Sequence, residues 1–447
     1  MASKTIVVIG MGYVGIPCAA LLADVEGFNV IGVQRRSKRS GWKIDALNSG
    51  KNPFEGDEPG LAELIERVVL EKKSFRATDD ISVCKEADVI LIDVQTPTDE
   101  NRIPQYLSLR EVSMNAGKYL SPSTLIVIES TVAPGTTQHI VQPLLEENSG
   151  LKAGQDFHLA FSYERVMPGK LLEFLINFPR VVGGIDEKST EMAAELYRHI
   201  VKAGVTTTDC LTAEVAKTVE NAYRDVNIAF ANEMALVCES MGVNVYQVRE
   251  LLNARHDRHM HIPGAGVGGH CLPKDTWLLR FGLKEYGIKD VDTDIIALAR
   301  QINDFMPLHM ASLIENAFVV EEAKSLSEAR VAVLGIAYLE DSDDTRNTPT
   351  LPLIRELEKK GAQVIAHDPY VREADFEEGI EMTRDLDEAL KGADCAAIVT
   401  KHSDYFKLDL RRAKELMRTP IIVDGRNVFD RKTCVEAGFA YRGIGKG

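Results

Sequence analysis

The sequence predicts an α/β protein in which two doubly wound sheets are joined by long central helices. Three observations support this prediction. Strand-like and helix-like runs alternate up to about residue 205, helical periodicity follows, and the alternation resumes at Arg330. Strands that alternate with helices form mostly parallel sheets. We therefore expect three domains, at residues 1–205, 206–322 and 323–447, in a chain of 447 residues.

The first domain begins with a strand, because TIVVIG is a nearly continuous apolar run. GMGYVG then reads as a tight turn, IPCAALLADVEG as a helix that ends at a glycine, and NVIGV as a second strand. ADVILIDV, LREVSMNAGKYL and STLIVIEST continue the alternation. These elements predict one parallel sheet that is covered by helices on both faces.

The central segment is predicted to be helical. Apolar residues recur every three or four positions, at 215, 219, 222, 226, 230, 234 and 237, which is typical of one long helix with an apolar stripe. A second long helix is expected from about Asp292 to Glu322, with a kink at Pro307. The apolar stripe predicts either a dimer surface or packing within the domain.

The last domain repeats the alternation on a smaller scale, through RVAVLGIAY, TPTLPLIRELEKKG, QVIAHDP, CAAIVT and PIIVDGR. The turn after its first strand, Gly335-Ile336-Ala337, lacks the full glycine pattern of the first domain. Two similar domains with different turns favour two different ligands, although topology alone does not establish a ligand.

Composition restricts the class of protein. The formal net charge of -15 argues against nucleic acid as the main partner. Seven scattered cysteines form no CxxC pair, so that neither a disulfide framework nor a metal site is expected. The sequence contains no signal-peptide pattern and no apolar run long enough to cross a bilayer. We therefore expect a cytoplasmic protein with no membrane partner.

The first glycine turn predicts dinucleotide binding. Gly10, Gly12 and Gly15 form a GxGxxG pattern directly after a strand and before a helix, which is the context of a Rossmann-like domain. Gly10 permits the turn, Gly12 lets the backbone approach a pyrophosphate, and Gly15 lets helix and strand pack closely. Tyr13 and Val14 lie inside the same turn and belong to the expected cofactor site.

The residues that follow the second strand bear on the choice between NAD and NADP. NAD sites usually place Asp or Glu there to bind the ribose hydroxyls, but this chain has Gln34. A basic run follows: Arg35, Arg36, Ser37, Lys38 and Arg39. The arginines either bind the 2′-phosphate of NADP or form a solvated loop beside an adenosine pocket that tolerates Gln34.

A cysteine among glycines and polar residues indicates a reactive thiol, or a tight turn whose cysteine is incidental. The stretch GVGGHCLPKDTW covers residues 266–277 and contains Cys271. Catalytic thiols lie in partly exposed, electropositive surroundings. On the first long helix, Glu214, Lys217 and Asn221 are spaced to share one face. Lys217 is there either a solvated charge or a group that stabilises an oxyanion together with Asn221.

Ordered motifs along nearly the whole chain resemble the UDP-glucose/GDP-mannose dehydrogenase family. They are GMGYVG at 10–15, VQTP at 94–97, ESTVAPGTT at 129–137, YERVMPGK at 163–170, AEVAKTVENAYRDVNIAFANE at 213–233, GVGGHCLPKD at 266–275, GIAYLEDSDDTRNTP at 335–349 and DGRN at 424–427. The strings GGHC and ERVMPGK are similar to those of the branch that acts on UDP-N-acetylhexosamines, rather than to the UDP-glucose branch.

The resemblance implies an activity. It is the NAD(P)-dependent, four-electron oxidation of the C6 alcohol of a UDP-N-acetylhexosamine to the uronate, for polysaccharide or glycan precursor synthesis. The first domain would bind the dinucleotide, the central segment would carry catalysis and dimerisation, and the last domain would bind the UDP-sugar. A homodimer without a metal is implied. Cys271 would be the nucleophile that carries a thiohemiacetal and then a thioester.

The resemblance also implies the residues of the site. The implied catalytic set is Cys271, Lys217, Asn221, Asp275, Glu164 and Thr131. The implied substrate contacts are Glu164, Arg165, Val166, Lys217, Asn221, Arg258, Gly268 and His270. The implied cofactor contacts beyond the glycine turn are Gln34, Arg35, Thr96, Pro97, Thr131 and Arg346, and the last of these reaches the active site across the dimer in relatives. Leu339 departs from the pattern, because the family more often has a lysine there.

Three alternatives stay open. The first is a UDP-glucose 6-dehydrogenase. The second is a two-electron dehydrogenase of the hydroxyacid type, which uses a helical lysine but needs no cysteine. The third is a sensor that binds a dinucleotide or sugar nucleotide without turnover. UDP-N-acetyl-mannosamine, -glucosamine and -galactosamine are not ranked, because loop geometry reads the stereochemistry at C2 and C4.

Overall fold

The computed structural model describes residues 3–37, 40–54, 56, 58–289, 291–321, 325–372 and 376–447. The chain divides into two compact units. Unit 1 comprises Met1–Glu220 and Trp277–Val291, and unit 2 comprises Asn221–Thr276 and Asp292–Gly447. Each unit is therefore built from two separate segments of the chain.

Unit 1 contains an eight-stranded sheet. Its strands are β1 Lys4–Ile9, β2 Phe28–Val33, β3 Phe75–Thr78, β4 Val89–Ile92, β5 Leu125–Ile128, β6 His158–Tyr163, β7 Arg180–Gly184 and β8 Val205–Asp209. The order is β3-β2-β1-β4-β5-β6-β7-β8. The pairs from β3 to β6 are parallel, as predicted, whereas β7 runs antiparallel to β6 and carries β8 parallel to itself.

Helices cover this sheet on both faces. They are α1 Gly15–Asp24, α2 Trp42–Asn48, α3 Leu61–Glu66, α4 Leu107–Lys118, α5 Gln142–Ser149, α6 Leu171–Asn177 and α7 Glu187–Arg198. Every residue of β4 and β5 is buried. Strands that are buried on both faces have continuous apolar sequences, and for this reason β4 and β5 could be predicted from the sequence.

The helices that follow are α8 Cys210–Met241, α9 Val245–Asn253, α10 Leu272–Tyr286 and α11 Asp294–Val320, of which α8 and α11 are the longest. The predicted long helix is α8, on which Val219, Phe230 and Val237 are exposed and Ala222 is buried. Pro307 lies in the interior of α11 and is buried. Glu322, where that helix was expected to end, lies outside the described residues.

Unit 2 contains a six-stranded parallel sheet in the order β11-β10-β9-β12-β13-β14. Its strands are β9 Arg330–Leu334, β10 Gln363–His367, β11 Met382–Thr383, β12 Cys395–Ile398, β13 Ile421–Asp424 and β14 Ala440–Gly443. Its remaining helices are α12 Thr350–Lys359, α13 Leu386–Leu390, α14 Leu410–Leu416 and α15 Arg431–Glu436. This is the strand order of a dinucleotide-binding fold, and the predicted pair of doubly wound sheets is confirmed.

Within the described part of the chain, no helix is both long enough and apolar enough to span a bilayer.

Candidate active site

The first glycine turn leaves an open backbone surface before α1. A Cβ on Gly10, whose φ is +110°, would overlap the carbonyl oxygen of Asp93, and a Cβ on Gly15 would overlap the carbonyl oxygen of Gly10. A Cβ on Gly12 would meet no atom within 4 Å. The turn itself therefore requires Gly10 and Gly15, whereas glycine at position 12 keeps the backbone accessible. The turn fits the pyrophosphate of a dinucleotide, because a helix N-terminus favours an anion.

Other predicted cofactor residues surround this turn in unit 1. The Tyr13 ring stacks on Phe54 with centroids 4.5 Å apart, and Val14 directly precedes α1. Thr96 is buried and donates its hydroxyl hydrogen to the carbonyl oxygen of Thr131 at 2.6 Å, while Pro97 beside it is exposed. Thr96 and Thr131 are thus brought together in the loops after β4 and β5, at the sheet edge where such folds bind ligands.

Gln34, the first residue after β2, is engaged by the turn itself. Its Oε1 accepts the backbone N–H of Met11 at 3.0 Å, and its Nε2 donates to the hydroxyl oxygen of Ser40 at 3.0 Å. The carboxamide therefore shapes the glycine turn, a role that the sequence did not suggest.

The basic run after Gln34 has carboxylate partners. Arg35 pairs with Glu111 at 3.3 Å, and Arg36 pairs at 3.3 Å with each of two exposed carboxylates, those of Asp45 and Asp79. Lys38 and Arg39 lie outside the described residues. A 2′-phosphate would have to compete with these surface pairs, which are weak individually.

A pair of neighbouring carboxyl groups, those of the partly buried Asp93 and the buried Glu129, lies beside the glycine turn. A Cβ on Gly10 would be 3.4 Å from the Cβ of Asp93, which follows β4. Glu129, which follows β5, accepts hydrogen bonds from Arg180 and, at 2.6 Å, from the hydroxyl of Tyr197. Burial, and then the neighbouring Glu129, raise the pKa of Asp93, which favours its neutral form. The sequence reasoning missed this pair, although acids that end apolar strands are a visible signal.

Lys217 lies in a buried setting on α8. Its Nζ donates to the carbonyl oxygen of Glu164 at 2.7 Å and is 5.2 Å from the centroid of the Tyr163 ring. The Glu164 carboxylate is 4.0 Å from the same Nζ and accepts the N–H of Val166 at 2.6 Å. Only 6% of the Lys217 side chain is exposed, and these oxygens of Glu164 lie close to its charge. A lysine held in this way is not a solvated surface charge.

Two neighbours of Lys217 have other partners. Arg165 binds Glu220 through Nε at 2.9 Å. Glu214 is fully buried and accepts the N–H groups of Gly135 at 2.6 Å and of Thr137 at 2.9 Å. Burial raises the pKa of Glu214 to about 7. Glu214 therefore holds the ESTVAPGTT turn in place, which its helical spacing did not predict.

Cys271 directly precedes α10, and its carbonyl oxygen accepts the N–H groups of Lys274 at 3.0 Å and Asp275 at 2.9 Å. All seven cysteines lie within the described residues, and Cys271 is the exposed one. Burial raises the pKa of each of the other six thiols. The N-terminus of a helix favours a thiolate, so Cys271 combines exposure with a position of this kind.

The Asp275 side chain organises the first turn of α10. Its Oδ2 accepts a hydrogen bond from Nδ2 of Asn221 at 2.6 Å, and its Oδ1 pairs with Nζ of Lys274 at 2.9 Å. Burial, followed by Lys274 and Arg346, lowers the pKa of His270 to about 4, so that the imidazole is neutral at pH 7. Asn221 and Asp275 are thus brought together as expected, whereas Lys274 was not singled out by the sequence.

The glycines before Cys271 pack against their own chain. A Cβ on Gly268 would lie 2.5 Å from the Cβ of Tyr338, and one on Gly269, whose φ is +94°, would lie 2.8 Å from the Tyr338 ring. A Cβ on Gly266, whose φ is +126°, would lie 2.6 Å from Pro349. The absence of side chains on these glycines therefore leaves room for Tyr338 and Pro349. The predicted substrate contact at Gly268 stays a prediction.

Two predicted arginines of unit 2 are paired locally. Arg346 forms a two-pronged ion pair with the buried carboxylate of Asp344, at 2.8 Å from Nε to Oδ1 and 2.6 Å from Nη2 to Oδ2. Arg258 is half exposed and binds Asp257 at 2.8 Å. Leu339 is partly buried beside Tyr338.

The second glycine turn is filled by a side chain of unit 2. The carboxylate of Asp368, the first residue after β10, accepts the N–H groups of Ile336 at 2.8 Å and Ala337 at 2.9 Å. His402 lies 3.0 Å from the same oxygen, Oδ2. Gly335 has a φ of +101°, and Ile336 and Ala337 are completely buried. An internal carboxylate thus binds N–H groups of this turn, the kind of group that binds a pyrophosphate in a dinucleotide-binding domain.

These observations define an oxidoreductase-type architecture, with one open dinucleotide turn, one closed turn and an exposed thiol at a helix N-terminus. No cluster of three or more His, Cys, Asp or Glu side chains within the described ranges is arranged to hold a metal ion. The model of the UDP-glucose/GDP-mannose dehydrogenase family matches in three parts: its NAD binding domain at residues 4–201, its central domain at 211–305 and its UDP binding domain at 332–431.

The chain belongs to the UDP-glucose/GDP-mannose dehydrogenase family. The UDP-N-acetyl-D-mannosamine dehydrogenase of Pyrococcus horikoshii is 38% identical over 99% of both chains. A structure of NDP-N-acetyl-D-galactosaminuronic acid dehydrogenase from Methanosarcina mazei is 44% identical with a TM-score of 0.88, over 100% of this chain and 96% of that one. A UDP-glucose dehydrogenase from Pyrobaculum islandicum is 26% identical with a TM-score of 0.85, over 100% and 98%.

The predicted family is thereby confirmed, and the chain is an oxidoreductase of the nucleotide-sugar dehydrogenase class. Its first domain is an NAD binding domain and its last is a UDP binding domain.

Proposed function

We propose that this enzyme oxidises the C6 alcohol of a UDP-N-acetylhexosamine to the uronate in two NAD-dependent steps, with Cys271 as the covalent nucleophile. The observation that carries the proposal is the exposed Cys271 before α10, close in sequence to the buried Asp275, which is hydrogen-bonded to the partly buried Asn221. Two oxidations of one carbon require that the aldehyde be retained, and a thiol retains it covalently. The names of the Pyrococcus and Methanosarcina relatives support an N-acetylhexosamine substrate.

The proposed reaction consists of two oxidations, each of which also releases a proton, and one hydrolysis. When bound, the nicotinamide accepts the hydride that leaves C6 in each oxidation. The Cys271 thiolate adds to the C6 aldehyde and forms a thiohemiacetal, whose oxidation gives a thioester. Water then cleaves the thioester, which releases the carboxylate and returns the thiol. Lys217 and Asn221 stabilise the oxygen of C6 while negative charge develops on it, and Glu164 and Thr131 complete the catalytic set.

Substrate and cofactor contacts follow from the same proposal. Arg165, Val166, Arg258, Gly268 and His270 contact the UDP-sugar together with the catalytic residues. The glycine turn, Gln34, Thr96, Pro97 and Thr131 contact the dinucleotide, and Arg346 reaches the site of a second subunit. Because Gln34 brings no negative charge to the ribose, we expect only weak discrimination against NADP, with Arg35 and Arg36 near the 2′-phosphate.

We also propose a role for each domain and a homodimeric assembly. Residues 1–205 bind the dinucleotide, 206–322 provide catalysis and dimer contacts, and 323–447 bind the UDP-sugar. A homodimer would cover the exposed apolar residues that repeat along α8, namely Tyr223, Phe230, Val237 and Met241. Seven free cysteines suit the reducing cytoplasm.

UDP-glucose is the competing substrate, since a UDP-glucose dehydrogenase is also similar over the whole length of the chain. A panel of UDP-sugars with NAD+ and NADP+ distinguishes the substrates, and two reduced cofactors per uronate are expected. Cys271→Ser should retain NAD+ binding and abolish uronate formation, because a serine hydroxyl is a far weaker nucleophile at neutral pH. Cys434→Ser, at a buried cysteine, is the control. Near wild-type turnover by Cys271→Ser would exclude the covalent route.

A further inference from the structure

We infer that Arg426 and Asn347 are positioning residues that fix the glycine loop carrying Cys271, from outside the set of residues that contact reactants. The loop of residues 264–269 contains four glycines and directly precedes His270 and Cys271. Glycine has the largest conformational freedom of any residue, so that such a loop does not fix its own course. The importance of the loop for turnover rests on the function proposed above, but its anchoring does not.

Arg426, from the DGRN motif after β13, binds the middle of the loop. Its Nη2 donates to the carbonyl oxygen of Gly266 at 3.0 Å, and its Nε donates to the carbonyl oxygen of Val399 at 2.6 Å. A Cβ on Gly264 would overlap the guanidinium group. Beside it, the N–H of Ala265 donates to the carbonyl oxygen of Gly425 at 3.1 Å. One side chain thus ties the loop to the ends of two strands of the UDP binding domain.

Asn347 holds the end of the loop that is closer to the thiol. Its Nδ2 donates to the carbonyl oxygen of Gly269 at 3.0 Å, and the Gly269 N–H donates to the carbonyl oxygen of Arg346 at 2.8 Å. The Asn347 backbone has a φ of +48°, a conformation in which asparagine and glycine are favoured. Gly269 is two residues from Cys271, so this anchor sets where the thiol-bearing turn begins.

A buried polar chain holds the start of the loop. Oδ1 of Asn232 accepts the Gly264 N–H at 2.9 Å, and its Nδ2 donates to Asn303 at 2.8 Å. Nδ2 of Asn303 donates to Oδ1 of Asp225 at 2.8 Å, and Arg300 donates to that same oxygen at 2.7 Å. Replacing any of these buried groups would leave its neighbours without a hydrogen-bond partner. Variants of the more exposed Arg426 and Asn347 therefore give a cleaner test.

Asn347→Gly is the sharper of two variants. Glycine accepts the left-handed backbone and removes only the amide bonded to Gly269, so the thermal midpoint should stay close to that of the wild type. Cys271 is then expected to be alkylated by iodoacetamide at pH 7 about tenfold more slowly, because a thiol that leaves the helix N-terminus loses thiolate character. Mass spectrometry of the labelled peptide identifies the residue that reacts.

Arg426→Lys keeps the positive charge but loses the pair of hydrogen bonds to the carbonyl oxygens of Gly266 and Val399. It should slow the same alkylation and lower kcat for uronate formation about a hundredfold, with the KM for UDP-sugar changed by less than about threefold, since a small displacement of a reacting group has an effect of this size. Arg418→Lys is the matched control, because Arg418 binds Asp394 at 2.7 Å and makes no bond to the loop.

Alkylation that is unchanged or faster in both Asn347→Gly and Arg426→Lys would overturn the inference. Retained turnover by Cys271→Ser would instead contradict the proposed covalent route. In that case the alkylation rates would still decide whether the two residues position the thiol.

Discussion

The turn after the first strand differs between the two sheets, although both sheets share the strand order 3-2-1-4-5-6 over their common strands. At the first turn, the residue after the second strand is Gln34, whose neutral carboxamide accepts one N–H, that of Met11. At the second turn, the corresponding residue is Asp368, whose carboxylate accepts the N–H groups of Ile336 and Ala337. A neutral partner leaves the positive potential of the first turn available to a ligand.

The residue after the second strand therefore binds a different number of backbone N–H groups at the two turns. At the first turn, a Cβ on Gly12 would meet no atom within 4 Å. At the second, Ala337 already carries a Cβ and is fully buried, and its N–H is bound by Asp368. The shared fold therefore does not predict that the two turns bind the same ligand. The hydrogen bonds already made by the N–H groups of each turn distinguish them.

The largest expected effect is at Gly12. Gly12→Ala should leave the thermal midpoint unchanged, because the new methyl group meets open space. It should raise the Kd for NAD+ about a hundredfold, since the methyl would occupy the position of the pyrophosphate, which corresponds to about 2.7 kcal/mol. Isothermal titration calorimetry measures this change.

Gly15→Ala is the contrasting variant, because its Cβ would overlap the carbonyl oxygen of Gly10. It should lower the thermal midpoint. If Gly12→Ala bound NAD+ as tightly as the wild type, the first turn would not be the cofactor site.

Asp368→Asn, at the second turn, should have a smaller effect, which is a loss of free energy of unfolding. Each carboxylate oxygen accepts at least two backbone N–H groups, so that the new amide NH2 would face donors on whichever side it lies. We expect a loss of about 2 kcal/mol in the free energy of unfolding at pH 7, from urea titrations followed by circular dichroism. Asp404→Asn, at an exposed carboxylate, is the control.

The pH dependence of that loss has a definite sign. Burial by itself would raise the pKa of Asp368, but hydrogen bonds from His402 and from the backbone outweigh it, and the net pKa is lowered. A lowered carboxyl pKa stabilises the folded state above the unfolded value of about 3.9, and the stabilisation is lost as the pH falls below it. The difference between the wild type and Asp368→Asn should therefore be constant between pH 7 and 5 and shrink below about pH 4. A difference that shrank between pH 7 and 5 would contradict this assignment.

The smallest effect is expected at Gln34. Gln34→Glu retains an acceptor for the Met11 N–H and adds a negative charge, which repels a 2′-phosphate and suits ribose hydroxyls. The ratio of kcat/KM for NAD+ to that for NADP+ should rise about tenfold, or about 1.4 kcal/mol. A wild type that already rejects NADP+ strongly, with no change in the variant, would mean that Arg35 and Arg36 belong to a solvated loop.

Much of the fold could be predicted because its signals are local. β4 and β5 are apolar throughout, the glycine turn has fixed spacing, and α8 carries a regular apolar stripe. The antiparallel strand β7 was not predicted, because a strand's direction depends on the path of the chain between strands and leaves no period in the sequence.

The candidate site was predictable in its residue types but not in its contacts. Cys271, Asn221 and Asp275 were proposed from the sequence, and the last two share a hydrogen bond of 2.6 Å. Their catalytic roles stay predictions. The partner of Gly268 is Tyr338, seventy residues away, and that of Gly266 is Arg426, one hundred and sixty residues away. Only tertiary packing brings such residues together, so no spacing rule reveals them.

The division of each unit into two chain segments has a consequence for folding during synthesis. Leu278 is completely buried in a core of unit 1, yet it is made only after residues 221–276 of unit 2. At about 5 to 20 residues per second, a ribosome adds this intervening stretch in roughly 3 to 11 s. The nascent NAD binding domain therefore waits for several seconds with part of its core missing, and a chain that ended at Glu220 would keep that apolar surface exposed.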